Sequence, residues 1–199
     1  KTGETYLVGS DGLMRSDSFL DPEGHSVAAS FKNNTTVKTE ATKSALAGIE
    51  NQKVIIDYNG NPVLSAWDAV DIGSGIRWAM ISEMDVAEAF SPVDKDGNEF
   101  FKKYVDMYGY YDLFLVNPDG FVFYTAAKES DYQTNMLSGK YASSNLGKLI
   151  NNTVSSKQFG FADFAPYAPS NNEPCAFVAQ PVVHDGKVEL VVALQLSLD

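Results

Sequence analysis

Two similar copies of one pattern follow each other in this sequence, and this duplication limits the possible folds more than any other feature. Residues 7–12 (LVGSDG) return 108 positions later as residues 115–120 (LVNPDG). Pro62 and Pro174 stand at the start of similar apolar segments. A repeat of this length indicates two related modules in tandem, each with its own hydrophobic core.

Each copy predicts the same order of elements: strand, strand, helix, strand, strand, strand. An Asp-Gly turn, which is typical of tight hairpins, joins the first two strands at residues 5–18 and 111–127. The later strands are predicted at residues 53–58, 62–70 and 76–83, and again at residues 158–166, 174–183 and 187–198. This order favours an α+β fold of two PAS-like modules, each a five-stranded antiparallel sheet with helices on one face.

One amphipathic helix is predicted in each copy. In the second copy it begins at Ser143 or Ser144, and apolar residues from Leu146 to Ile150 recur on one face. In the first copy, residues 39–46 carry a weaker form of the same pattern. These helices are expected to cover one face of each sheet.

The boundary between the two modules is predicted near residue 91. The first module then occupies residues 1–91 and the second residues 92–199. A connecting helix is predicted near residues 98–108, because Phe101 and Tyr104 lie along one side of it and Gly109 follows.

The net charge of the chain excludes two classes of partner. There are 15 basic and 26 acidic residues, a net charge of −11, divided as −6 and −5 between the modules. A nucleic-acid surface needs clustered Lys and Arg, and so does a patch that binds anionic lipid. Neither nucleic acid nor a membrane surface is therefore an expected partner. Arg15 and Arg77 are the only arginines, and both lie in the first module.

Several stretches resemble the double Cache (tandem PAS-like) extracellular sensor region of bacterial methyl-accepting chemotaxis proteins. Residues 2–9 (TGETYLVG) and 13–18 (LMRSDS) resemble the start of its membrane-proximal module. Residues 110–115 (YYDLFL) and 128–135 (KESDYQTN) resemble its membrane-distal module, and residues 181–187 (PVVHDGK) its closing hairpin. In that family the distal module comes first, so the modules stand here in swapped order.

The resemblance implies a sensor domain of a chemotaxis receptor, and not an enzyme, that recognises a small molecule in its second, distal-like module. It implies a periplasmic or extracellular location within an inner-membrane receptor. The parent receptor is expected to be a homodimer that meets the membrane only through segments absent from this chain. Three alternatives stay open: a carboxylate or amino-acid sensor of a histidine kinase or cyclase receptor, a hydrolase using acidic residues of the second module, and a dimerisation spacer with an empty pocket.

The candidate ligand residues lie in the second module, where acids and aromatic rings concentrate. Asp163 is predicted to share a strand face with Phe161, and residues 128–141 to form a loop over the pocket. An acid among tyrosines suits a cation, through charge pairing and cation–π attraction. The candidate ligand-binding residues are Tyr111, Asp112, Tyr124, Lys128, Asp131, Tyr132, Tyr141, Phe161, Asp163, Tyr167 and Phe177.

The absence of arginine from the second module guides the choice of ligand. Amino-acid-binding members of the family hold the ligand carboxylate with a Tyr/Arg/Trp pattern and the amine with an aspartate. The second module has neither Arg nor Trp, and residues 168–170 (APS) stand near the place of that aspartate. An arginine clamp is impossible, so an amine or another cation is the preferred ligand, with Asp163 and Asp112 as anchors. Lys128 and Lys140 keep a carboxylate as the rival.

No cofactor, metal site or catalytic set is predicted. His25 and His184 lie in different modules and Cys175 is the only cysteine, so no zinc site of usual spacing can be assembled. The acidic segments 57–61 and 94–99 lack the distal glutamate of a calcium loop. No Gly-rich phosphate loop is present.

Overall fold

The chain folds as two compact units, Lys1–Phe90 and Ser91–Asp199, in a computed structural model that describes residues 2–198. Lys1 and Asp199, with which the predicted modules begin and end, lie outside the described residues. No helix within residues 2–198 is long and apolar enough to cross a membrane.

The first unit is one antiparallel sheet with short helices. Its strands are β1 (Glu4–Val8), β2 (Asn51–Ile56), β3 (Pro62–Gly73) and β4 (Ile76–Asp85), in the order β1-β4-β3-β2. Its helices are α1 (Pro22–His25), α2 (Val27–Asn33), α3 (Glu40–Leu46) and α4 (Val86–Phe90). Helix α3 is the predicted one, and it begins where Thr39 accepts a hydrogen bond from the backbone of Thr42.

The first sheet has four strands in the described residues, where five were expected. Past the Asp-Gly turn, the chain pairs with β1 only in a single bridge between Val8 and Met14. Side chains take the place of the missing ladder: Ser16 Oγ accepts from the backbone of Leu7, and Met14 N–H donates to Ser30 Oγ. Such local bonds compete with strand pairing.

The core of the first unit lies between the sheet and α3. Alternate residues of β1, β3 and β4 point to that side, among them Tyr6, Trp67 and Ile81, and they are buried. Ala41 and Ala45 of α3 pack against them. The small alanines let the helix approach the sheet closely.

The second unit has the predicted five-stranded antiparallel sheet. Its strands are β5 (Asp112–Val116), β6 (Val122–Thr125), β7 (Gly160–Tyr167), β8 (Glu173–His184) and β9 (Lys187–Leu196), in the order β6-β5-β9-β8-β7. Its α-helices are α5 (Phe100–Tyr108), which is the predicted connecting helix, and α6 (Asn145–Ser156). The predicted α+β class, with antiparallel sheets, is confirmed.

Helix α6 covers the core of the second unit. Leu146, Leu149 and Ile150 lie on its inner face, where they pack with Phe114 and Phe177 of the sheet. The helix begins where the hydroxyl of Ser144 accepts a hydrogen bond from the backbone of Gly147, at 3.0 Å. Of the two serines that the sequence offered, Ser144 is therefore the cap.

We expect Ser144→Ala to lower the free energy of unfolding by about 1 kcal/mol, because it removes an N-cap acceptor. Ser143→Ala is the matched control, since Ser143 is exposed and does not cap the helix. Urea unfolding followed by far-UV circular dichroism measures both changes. Equal losses in the two variants would contradict the assignment of the cap.

Candidate functional site

Asp112, the first residue of β5, is completely buried. Its Oδ1 accepts three backbone hydrogen bonds, from Leu113 at 2.7 Å, Ala126 at 2.8 Å and Ala127 at 2.9 Å. These bonds hold the chain where it leaves β6. Its Oδ2 is buried as well and has no partner among the described residues. One carboxylate oxygen is thus structural and the other is free to accept.

Asp131 lies on the segment that follows β6 and is also completely buried. Its Oδ2 accepts from the hydroxyl of Tyr167, at the end of β7, at 2.6 Å, while its Oδ1 has no partner among the described residues. Lys128 and Gln133, on either side of it, have φ values of 54° and 59°. This left-handed conformation is costly for residues with a β-carbon, so surrounding contacts must hold the segment in place.

Gln195 of β9 is the direct cross-strand partner of Asp112 and is completely buried too. Its Nε2 donates to Ser170 Oγ at 2.9 Å and to Cys175 Sγ at 3.1 Å. Its Oε1 has no partner among the described residues. A third buried acceptor therefore lies directly across the strand pair from Asp112.

A third carboxylate completes this group. Glu129 accepts from the hydroxyl of Ser170 at 2.8 Å and from that of Tyr111 at 2.7 Å. Tyr111 is exposed over 42% of its surface, so it connects the group to solvent. We call these residues the acidic cluster: Tyr111, Asp112, Glu129, Asp131, Tyr167, Ser170 and Gln195.

The electrostatics of the acidic cluster are those of charges that lack a counterion. Burial, assisted by the charge of Asp131, raises the pKa of Asp112 to about 7, against the lowering effect of its backbone donors. Burial likewise raises the pKa of Asp131. Burial and the charges of Asp131, Asp112 and Glu129 all raise the pKa of Tyr167, whose hydroxyl is bonded to Asp131.

Within residues 2–198, no lysine or arginine forms an ion pair with the three carboxylates of the cluster. The nearest lysines in sequence are engaged elsewhere: Lys128 Nζ lies 3.1 Å from Glu99, and Lys140 lies over the ring of Tyr141. The described residues also hold no group of three or more side chains placed to bind a metal ion. The arrangement can accept hydrogen bonds from a cationic donor.

Five of the predicted site residues lie in or against the acidic cluster. Tyr111, Asp112, Asp131 and Tyr167 are members of it. Phe177 is buried, and its ring packs against that of Tyr167 with the centroids 4.9 Å apart. The sequence therefore identified two of the three acids and both tyrosines of the cluster.

Two other predicted residues form a separate group around Glu99. The hydroxyl of Tyr124 donates to Glu99 at 2.7 Å and accepts from Ser91 at 3.3 Å. Lys128 donates to the other oxygen of the same carboxylate. Lys128 therefore pairs with Glu99 and forms no ion pair with a carboxylate of the cluster within the described residues.

The remaining predicted residues are not brought to the cluster by a direct contact. Tyr141 is buried and bonds to Ser130 Oγ at 2.8 Å, and Tyr132 is partly buried. Phe161 and Asp163 share one face of β7, as predicted, but that face is exposed. In the part of the chain that the structure describes, the carboxylate of Asp163 accepts only from the backbone N–H of Phe164, at 2.8 Å.

Glu129, Ser170 and Gln195 were not identified from the sequence. A signal for Gln195 was present, because it follows Val191 and Ala193 in the alternation that points into the core of β9. An amide at an inward position of an apolar strand indicates a buried polar site. Glu129 and Ser170 lie outside the strands, where no periodicity marks them.

A separate cleft of about 500 Å³ lies on the first unit. Its strand residues Ala66, Asp68, Met80 and Ser82 are exposed on the face of the first sheet opposite the core, and Trp67 of the core also borders it. Its lining is Thr5, Glu50, Asn51, Gln52, Ala66, Trp67, Asp68, Met80 and Ser82. The sequence predicted no site there.

No protein-family model matches the sequence, and no curated protein matches it. Solved structures do match. An extracellular ligand-binding receptor from Desulfohalobium retbaense DSM5692 is similar over 97% of this chain and 30% of its own, with a TM-score of 0.51 and 12% identity. The ligand-binding domain of the Pseudomonas fluorescens chemoreceptor CtaA, in complex with L-serine, is similar over 97% of this chain and 71% of its own, with a TM-score of 0.48 and 13% identity.

The sensor domain of the Vibrio cholerae histidine kinase DctB is similar over 50% of this chain, with a TM-score of 0.38 and 14% identity. This chain spans 36% of the length of the DctB domain and 30% of that of the Desulfohalobium receptor. At 12% identity, the likeness to the Desulfohalobium receptor shows a shared fold alone.

We expect Asp112→Asn to stabilise the chain at pH 8. In an unfolded chain an aspartate ionises near pH 4, whereas in the fold the pKa of Asp112 is about 7. The folded state therefore keeps a proton that the unfolded state loses, so this group lowers stability as the pH rises from about 4 to about 7. Asparagine removes the ionisation and keeps an oxygen for the three backbone donors. The gain should be on the order of 2 kcal/mol at pH 8 and vanish at pH 4.

Urea unfolding at pH 4, 6 and 8 measures this difference. Asp163→Asn is the control, since Asp163 is exposed and should change stability little at any pH. A loss of stability in Asp112→Asn that is the same at all three pH values would show that the carboxylate is purely structural.

Proposed function

We propose that this chain is the ligand-binding sensor domain of a chemotaxis receptor, and that it binds a small amine or another organic cation in the acidic cluster. The observation that carries this proposal is a set of three buried acceptor oxygens without donors: Asp112 Oδ2, Asp131 Oδ1 and Gln195 Oε1.

Burying these three oxygens without donors lowers the stability of the fold unless a ligand supplies hydrogen bonds to them. A buried acceptor without a hydrogen bond loses its interaction with water, and a buried carboxylate without a counterion loses far more. Without a bound cation, protonation of a carboxylate avoids part of this cost, in keeping with the raised pKa of Asp112. A bound ammonium would supply both the charge and the donors.

The chemistry of the cluster favours a cation over a carboxylate. The second unit contains no arginine, and its nearest lysines are held by Glu99 and by the ring of Tyr141. A carboxylate ligand would meet Asp112, Glu129 and Asp131 without a compensating positive charge. An amine would meet the same three groups with favourable Coulomb energy.

The proposed receptor context rests on the fold and on the resemblance of the sequence motifs. The first unit corresponds to a membrane-proximal Cache module and the second to a membrane-distal one, in swapped order. The parent protein is a homodimer with this part in the periplasm or outside the cell. Ligand binding shifts the receptor between two states for which the ligand has different affinities.

A thermal-shift screen at pH 8 tests this function. The panel contains short alkylamines, amino acids and dicarboxylates, each at millimolar concentration. We expect an amine to raise the melting temperature by several degrees, because a ligand at 100 times its Kd adds about 2.7 kcal/mol of stability. Acids should give no shift.

Two aspartate variants locate the binding. Asp131→Asn should abolish the shift, since it removes a charge from the cluster while keeping an oxygen for the hydroxyl of Tyr167. Asp163→Asn should keep the shift in full. If dicarboxylates alone stabilise the chain, or if Asp131→Asn binds the amine as well as the parent chain does, the proposed function is wrong.

A further inference from the structure

We propose that the acidic cluster recognises its cation by accepting hydrogen bonds from N–H groups, so that it takes a primary ammonium and rejects the same ligand after full N-methylation. This inference rests on the proposed function and adds the chemical class of the ligand. A quaternary ammonium has the same charge as a primary ammonium but no N–H group. Comparing the two therefore separates the effect of the charge from the effect of the hydrogen-bond donors.

The orientation of the Gln195 amide follows from the hydrogen bonds of its neighbours. The Ser170 hydroxyl donates its single proton to Glu129, so toward Gln195 it can only accept. The amide must therefore present Nε2 to Ser170, at 2.9 Å. This leaves Oε1 as an acceptor, and it has no partner among the described residues.

The three free oxygens belong to one site. Asp112 and Gln195 are direct partners across β5 and β9, so their side chains leave the sheet side by side. Asp131 approaches from the segment after β6 and is anchored by Tyr167. The ring of Tyr167 packs against Phe177, which is the direct cross-strand partner of Gln195, so Asp131 lies on the same side of the sheet as Gln195 and Asp112. Three acceptors match the three N–H groups of a primary ammonium.

The cluster lacks the feature that quaternary ammonium sites use. Those sites surround the cation with aromatic ring faces. Here Tyr167 directs its hydroxyl to Asp131, and its ring meets the ring of Phe177 nearly edge-on, with an interplanar angle of 69°. Tyr111 likewise directs its hydroxyl to Glu129. The tyrosines of the cluster therefore act as hydroxyl donors that position carboxylates.

Matched ligands test the inference by isothermal titration calorimetry on the whole chain at pH 8. The probes are n-butylammonium, its N,N,N-trimethyl counterpart and n-butylguanidinium. We expect the trimethyl compound to bind at least about 100-fold more weakly than butylammonium, because a site that hydrogen-bonds its ligand strongly rejects an analogue without those donors. Butylguanidinium, which is bulky and rich in N–H groups, should bind within about 10-fold of butylammonium.

Gln195→Met provides the second arm, since methionine keeps a similar length and removes the amide oxygen. We expect this substitution to raise the Kd for butylammonium about 10-fold and to leave the Kd for the trimethyl compound unchanged. The ratio of the two Kd values should therefore fall about 10-fold. Its thermal unfolding, compared with that of the parent chain, checks that it folds.

The outcomes separate the inference from the proposed function. Equal or tighter binding of the trimethyl compound overturns the inference, while cation binding, and with it the proposed function, stands. Weak binding of both the trimethyl compound and butylguanidinium also overturns the inference, because the site would then select its ligand by the size of the cationic group and not by its N–H donors. If none of the three cations binds, the proposed function fails and the inference falls with it.

Discussion

The chemistry of this protein depends on one buried carboxylate that is only half satisfied. Asp112 Oδ1 gathers three backbone N–H groups and so holds the start of β5 to the chain that leaves β6. This fixes Oδ2, which has no partner among the described residues, in a rigid and nearly dry place. Because the structural bonds hold the carboxylate there, its free oxygen cannot turn to water. Gln195, which is the cross-strand partner of Asp112, and Asp131 each bury one more acceptor without a partner among the described residues.

The first unit shows what the same kind of fold does without such a site. It too buries a carboxylate, Glu83 of β4, and burial raises the pKa of that group to about 7. Both oxygens of Glu83 have donors, however: the hydroxyl of Tyr6 at 2.8 Å and that of Ser65 at 3.0 Å. The hydrogen bonds of Glu83 are therefore all made within the first unit, where they stabilise its core. The acidic cluster of the second unit therefore differs from Glu83 in having carboxylate oxygens without a hydrogen-bond donor, and not in its burial or its pKa.

Much of the fold could be predicted because it follows from local patterns. Asp-Gly turns, the alternation of strands and the serine cap of α6 act over a few residues, and each is visible in the sequence. The site was visible only in part. Asp163 and Phe161 share a face of β7 as their spacing requires, but a sheet has two faces, and α6 covers the other one. Alternation tells which residues lie together on a face, and it does not tell which face is buried.

The sequence by itself determined the duplication, the α+β class and the absence of arginine from the second unit, because these are properties of composition and of short-range order. Only the tertiary structure decided that Glu129, Ser170 and Gln195 meet Asp112 and Asp131, since they come from β9, the short helical turn after β7 (Ala168–Ser170) and an irregular segment. Hydrogen bonds depend on distances of about 3 Å, and such distances between remote residues exist only once the sheet is paired and the core is packed.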